Sequence, residues 1–323
     1  MMWKSSLKFD PFSPLLGSDS EALLYFIERD LLGSQSKPVE FLWKLPKPLK
    51  ILEKQQINGA WHYPGSRPGA DFGEAYELLE TWKILRALVE MYGFTRQHPA
   101  VERACEYILS YQTEEGDLRG ILSNQYAPYY TGAMLEILIK AGYEQDGRIL
   151  RGLNWLLEMR QDDGGWIIPL MMFKINAYYR LYDQPPVPSD RQRPFSHMAT
   201  GMVTRAFAAH PDYRLLPEIV HAGNLLKGRF FQKDAYTSRQ SAAYWFKFQY
   251  PFWWTDLLTV MDSYMRIGII QMDEQVEKAL DWFIENQATD GLWHAAYGGA
   301  SRGESNEWVT LAVCRVLKHF IGE

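Results

Sequence analysis

Apolar positions recur three and four residues apart along much of this chain, the spacing that gathers them on one face of an α-helix. The longest such segment runs from Gly73 to Tyr92, with Leu78, Leu79, Trp82, Leu85 and Val89 on one face. Ser18-Asp19-Ser20-Glu21 reads as a capping box that opens a helix through Leu32, and Pro46 and Pro48 delay the next until about Leu49 to Gln55. Outward-facing helices are expected over 99–112, 146–161, 211–228 and 273–287, alternating with inward-facing ones over 129–141, 197–209, 253–267 and 304–320. With the 73–92 segment and the first helix counted, six segments face inward.

The ends of the outward helices share a pattern. Leu156-Leu157, Gln161 and Gly164-Gly165-Trp166 follow the same order as Trp282-Phe283, Gln287 and Gly291-Leu292-Trp293. Tyr107-Ile108, Gln112 and Gly116 keep the frame with Leu118 in the Trp slot, and Ile51, Gln55 and Gly59-Ala60-Trp61 keep its second half. Each Gln lies one turn beyond an apolar residue, at a helix end where carbonyls lack partners. Gly allows the left-handed turn that stops the helix, and Trp folds back over the junction. Gly228-Arg229-Phe230 is a degraded copy without the Gln. Repetition at this period implies stacked units that bury their faces against one another.

These residues resemble the QW repeats of the terpenoid cyclase and protein prenyltransferase superfamily, including the squalene–hopene cyclases. The resemblance implies an all-α fold, an α/α toroid of six units with inner helices enclosed by outer ones, and the habit of binding apolar ligands. It covers roughly residue 50 to the C-terminus. One domain over 1–323 is expected, with 1–18 as an N-terminal arm and 167–196 and 230–252 as long loops, candidate lid or cavity wall.

Composition suits this reading. Apolar residues are 47% and aromatics 15% of the 323 residues, enough for a core and an apolar-lined cavity. A formal net charge of −5 argues against a nucleic-acid partner. Cys105 and Cys314 fall in apolar helical stretches, so no disulfide framework is expected. The first residues carry no apolar leader, and no uninterrupted apolar run approaches the ~20 residues of a membrane span, so a cytoplasmic protein is expected, with peripheral membrane contact left open.

The aromatic run from Phe230 to Trp254 includes Tyr244-Trp245-Phe246 and Trp253-Trp254. Packing of an irregular connection is one reading, and the wall of a carbocation-stabilising or sugar-stacking cavity is the other. Thr131, Thr200, Thr255 and Thr310 recur near inward-helix starts. They are either local caps or markers of a barrel mouth whose helix N-termini favour an anion such as a diphosphate.

Initiating chemistry is harder to find. The Asp-x-Asp-Asp motif of protonating cyclases and the Asp-Asp-x-x-Asp magnesium motif are both absent, and the Asp162-Asp163 pair belongs to a repeat turn. The prenyltransferase zinc ligands do not map onto Cys105 or Cys314. No metal and no cofactor is expected, although His62 and His294 each follow a repeat Trp and would supply two ligands if ring closure made them neighbours.

Asp256, beside Trp253 and Trp254, is the candidate acid, with His197 as a second catalytic candidate; Tyr129, Tyr130, Trp253, Trp254 and Glu307 are candidate substrate contacts. Asp71, Glu74 and Glu304 are further cavity-mouth carboxylates. The leading reading is a protein acting on, or binding, an isoprenoid or similar apolar molecule. A non-catalytic lipid-binding toroid stays open, as does a carbohydrate-active α/α barrel using Arg191, Arg193 or Arg239.

Overall fold

The computed structural model describes residues 2–34, 37–65, 75–173, 181, 184–236, 239–269, 272–297 and 302–322. Eleven principal helices order it: α1 (Glu21–Ile27), α2 (Pro46–Leu52), α3 (Tyr76–Tyr92), α4 (Pro99–Leu109), α5 (Pro128–Leu138), α6 (Gly147–Glu158), α7 (His197–Ala209), α8 (Pro217–Lys227), α9 (Leu257–Ile267), α10 (Glu274–Glu285) and α11 (Arg302–Ile321). Odd-numbered helices pack each on the next, from α1 through α11, and α11 returns to α1. They form the inner ring of an α/α toroid, with the even-numbered helices outside.

Burial separates the rings. Every residue of α5 and all but the last of α7 are buried, as expected of helices enclosed on all sides. On α10 only Val276, Ala279, Leu280 and Phe283 are buried, the single stripe of an outer helix.

The repeats are the fasteners. Trp61, Trp166 and Trp293 donate their indole N–H to the carbonyls of Ile51, Leu156 and Phe283, 2.7–2.8 Å away and ten residues back in their own outer units. Their backbone N–H groups donate to the hydroxyls of Thr81, Thr200 and Thr310 on the following inner helices. Gln55 donates to the Gly59 carbonyl and to that of Ala100 in the next outer helix, and Gln112 does the same with Gly116 and Arg148. At Gly59, where φ is +89°, an added Cβ would also run into the Arg103 carbonyl, so the turn and the close approach both require glycine.

The outer position next to the last repeat is filled by the N-terminal segment. Gln287 donates to the Phe9 and Gly291 carbonyls at 3.0 and 2.9 Å and accepts from the Phe9 N–H at 3.0 Å. Lys8 reaches the Glu285 carbonyl. Phe12–Leu16 forms a short helix here, and Trp3 is fully buried. Residues 3–16 thus stand where a sixth outer helix would.

Several helix boundaries differ from the sequence expectation. Ser20 caps α1, while Ser18 instead accepts from the Ser20 N–H and donates to Glu307. Pro46 opens α2 because proline at the first helical position needs no N–H partner. The segment expected as a helix from Trp253 begins only at Leu257, since Asp256 holds extended backbone as its cap. The stretch 211–228 divides into a short 3-10 turn, Tyr213–Leu215, and α8. Gly73, like Asp71 and Glu74, lies outside the described residues, as does the Tyr178-Tyr179-Arg180 part of the 167–196 loop.

Candidate functional site

The parallel inner helices give the barrel two mouths. At the N-terminal mouth, Trp82 of α3, Tyr130 of α5 and Trp253 and Trp254 of the segment before α9 form one aromatic cluster. Trp82 meets Trp253 edge-on at 4.9 Å and Tyr130 at 5.8 Å, Trp253 stacks on Trp254 at 5.7 Å, and Tyr130 lies 6.5 Å from Trp254. Tyr129 packs on Tyr130 at 4.3 Å. Four of the five expected substrate contacts therefore come together with Trp82, while Glu307 accepts from Ser18 on the ring-closing seam. Trp253 and Trp254 remain partly exposed.

Asp256 is 3% exposed. Its Oδ1 accepts from the Thr259 N–H at 2.8 Å, and the Thr259 hydroxyl accepts from the Asp256 N–H, a reciprocal capping box. Burial pushes its carboxyl up to a pKa of about 7, against the opposing pull of the Thr259 N–H and of Arg205. A group poised near neutrality can hold a proton and release it.

His197 is placed differently. Its ring lies over Trp245 at 4.6 Å, and its Nδ1 is 3.5 Å from Asp234, which also accepts from Ser196 Oγ and the Met198 N–H at the start of α7. Burial lowers its pKa, with Asp234 opposing. No described hydrogen bond or ion pair joins His197 to Asp256.

Of the 230–252 loop expected as lid or cavity wall, the end at residues 250–252 runs on with Trp253 and Trp254 across the barrel interior as a strap. Arg86 of α3 donates to the Phe252 carbonyl at 2.9 Å, and Arg205 of α7 to those of Trp253 and Trp254 at 3.0 and 3.5 Å. The Tyr250 ring stacks on Trp308 of α11 at 5.4 Å. Beyond the strap, at the C-terminal mouth, lies a cavity of about 440 Å³ whose wall mixes Phe26, Val89, Tyr250, Phe252 and Met265 with charged groups. This cavity does not fit the apolar description expected of the barrel axis.

Its charges are paired. Lys140 bridges Glu90 and Glu136 at 2.5 and 2.7 Å, Arg205 holds Glu136 at 2.9 Å, Arg266 holds Asp262 at 2.8 Å, and Asp30 is shared by Arg29 and Arg315. Burial alone would raise the Glu136 carboxyl, but Arg205 and Lys140 hold it below the usual carboxylate range. None of these groups was singled out in the sequence, although a charge inside an inner helix apolar on every other face, as Glu136 is in α5, was the available signal.

Other sequence candidates resolve into structure. The Thr200 and Thr310 hydroxyls, and that of Thr131 for the Leu118 N–H, serve repeat turns, which favours the local reading over an anion site. Thr255 donates to the Met198 carbonyl. His62 pairs with Glu77 and His294 with Asp290, and among the described residues no three metal-ligating groups gather. Asp163 accepts from the Gly165 and Phe195 N–H groups. Arg191 and Arg193 pair with Asp162 and Asp190, whereas Arg239 lies over Trp254 at 4.4 Å, so the three arginines do not converge. Glu304 pairs with Lys47. Among the described residues no helix is long and apolar enough to cross a membrane.

A family model, the squalene-hopene cyclase C-terminal domain, matches residues 68–186. A probable squalene–hopene cyclase of Sinorhizobium fredii is 27% identical over 159 residues, which are 48% of this chain and 24% of that relative's length. Among solved structures, a protein from Actinoplanes aligns with 88% of both chains at 16% identity and a TM-score of 0.43. A variant of the type II terpene cyclase MstE from Scytonema, in complex with merosterolic acid A, aligns with 83% of this chain and 92% of its own at 14% identity and a TM-score of 0.33.

Proposed function

We propose, for a chain that is terpenoid cyclase-like in its repeats, fold and relatives, that it binds an isoprenoid chain against Trp82, Tyr130, Trp253 and Trp254 and uses Asp256 as its proton donor. The observation that carries the reading is a partly exposed aromatic cluster followed two residues after Trp254 by a buried carboxyl, Asp256, whose pKa burial pushes up to about 7. Aromatic faces favour a developing carbocation, by about 2 kcal/mol per ring when water is excluded.

In the proposed step the Asp256 proton adds to an alkene carbon. A C–H bond forms, positive charge develops on the more substituted carbon, and Asp256 is left as carboxylate. A neighbouring alkene attacks the cation to close a ring, loss of a proton from carbon to water ends the sequence, and water returns a proton to Asp256. The product is then an isomer of the substrate. Arg205, which holds the Trp253 and Trp254 carbonyls and lowers the Asp256 pKa, positions the strap and steadies the carboxylate. His197 is read as holding the start of α7 with Asp234.

The capping role of Asp256 favours a second reading, a toroid that binds the same ligand without converting it. Incubation with linear polyprenyl alcohols and diphosphates, followed by chromatography with mass detection, separates the two. A product of unchanged mass and shifted retention, lost in Asp256→Asn, supports catalysis; saturable binding with no product supports the second; neither binding nor product overturns both.

A further inference from the structure

The barrel interior around the C-terminal cavity holds more positive than negative charge. Four cations line the cavity, Arg29, Lys140, Arg266 and Arg315, against three carboxylates, Asp30, Glu90 and Asp262. Directly behind the wall, Arg86 and Arg205 face Glu136, and Arg205 also acts on Asp256. Six cations thus share five carboxyl groups, one of which, Asp256, burial pushes up toward the neutral form.

Arg86 makes the imbalance concrete. It is 5% exposed, forms no described ion pair although Glu136 and Glu90 act on it from further away, lies over the faces of Trp82 and Trp253 at 4.9 and 4.7 Å, and leaves its buried Nε without an acceptor. Burial, aided by Arg205, pushes its pKa down to about 9. Helix C-termini attract cations, but that influence fades beyond the last turn. Arg86 is six residues before the end of α3 and Arg205 four before the end of α7, so helix ends do not account for them. Uncompensated charge in a protein interior is costly, and a bound anion would offset it.

We propose that the C-terminal cavity is a second ligand site, separated by the strap from the aromatic mouth, which takes an organic anion: a carboxylate or phosphate monoester on an apolar body. The acidic head sits among Arg315, Lys140 and Arg29, and the body lies against Phe26, Tyr250 and Phe252. A volume of about 440 Å³ is within the range of small-molecule sites. Arg29 and Arg315 share the single carboxylate Asp30, which leaves one positive charge between them for an incoming anion to meet. This site goes beyond the isoprenoid reading and does not require it.

Calorimetric titration of the intact protein with decyl phosphate, decanoate, decanol and inorganic phosphate tests the proposal. Both decyl anions should bind more tightly than decanol or phosphate alone. Arg315→Met should weaken the anions roughly tenfold, the loss of one charge-assisted hydrogen bond, and leave decanol unchanged. If Arg315→Met does not fold, Arg29→Gln at the exposed rim should weaken the anions in the same direction. Equal affinity for decanol and the decyl anions, or anion affinity indifferent to both substitutions, overturns the site. Anion binding lost in Trp254→Ala but kept in Arg315→Met moves the ligand to the aromatic mouth, which overturns this proposal and leaves the isoprenoid reading standing.

Discussion

Replacing Gln287 by Leu removes the fastener that joins the last repeat to the N-terminal segment while nearly preserving side-chain volume. Three hydrogen bonds disappear: two donated by the amide, to Phe9 and Gly291, and one accepted from the Phe9 N–H. At about 1 kcal/mol net for each, the loss is about 3 kcal/mol. A chain of 323 residues unfolds with an entropy near 0.7 kcal/mol/K on the usual per-residue scale, so Tm should fall by about 4 °C. Gln112→Leu removes two amide bonds within the ring and should cost about 1 kcal/mol less. Calorimetry measures both variants, and limited trypsin digestion distinguishes them. Only Gln287→Leu should expose Lys4 and Lys8 to faster cleavage, because Lys8 is anchored on Glu285 beside the lost bonds. A Tm within about 1 °C of wild type, or cleavage no faster than in Gln112→Leu, would refute ring closure through Gln287.

Trp293→Ala empties a fully packed position and breaks the indole bond to Phe283, so stability should drop by about 3–5 kcal/mol; selective loss of ligand binding at unchanged Tm would show that the residue belongs to a binding site instead. Asp256 gives a signed pH effect. Its folded pKa of about 7 lies above its unfolded value of about 3.9, so its contribution is fully present below about pH 4 and is lost as pH rises through 7. Asp256→Asn lacks this group, and the stability of wild type relative to the variant, measured by denaturant titration, should therefore decline across that interval; a pH-independent difference would mean the carboxyl is not perturbed. Gly59→Ala should cost more than the ~1 kcal/mol of an ordinary glycine substitution, because strain at φ +89° adds to the clash with Arg103.

The toroid was legible because its repeat is chemically explicit. Gln, Gly and Trp at a recurring spacing announce a helix stop, and Gln55, Gln112 and Gln287, with Trp61, Trp166 and Trp293, make the bonds that position allows. Gln161 shows where local reading ends: it stands one residue nearer its Trp than Gln287 does, so Arg160 takes the repeat position and donates to the Gly164 carbonyl, while Gln161 donates to the Asp190 and Arg193 carbonyls. Closure by residues 3–16 carried no such signal, since the N-terminal segment contributes mainly the Phe9 backbone to the Gln287 bonds, and backbone groups are the same in every sequence. The grouping of Tyr129, Tyr130, Trp253 and Trp254 followed from helix-start positions, and Trp82 escaped notice because its helix stripe made it look like ordinary core. Arg86, Glu136 and Arg205 are far apart in sequence and meet only through the strap and the ring, so neither their network nor the mixed character of the cavity could be read from spacing.

The isoprenoid reading is tested most directly by mass spectrometry of organic extracts from protein purified without detergent, wild type beside Trp254→Ala. An isoprenoid retained by wild type and lost from the folded variant is the expected result. An oligosaccharide in place of an isoprenoid, or an isoprenoid retained equally by the variant lacking the Trp254 ring, would contradict it.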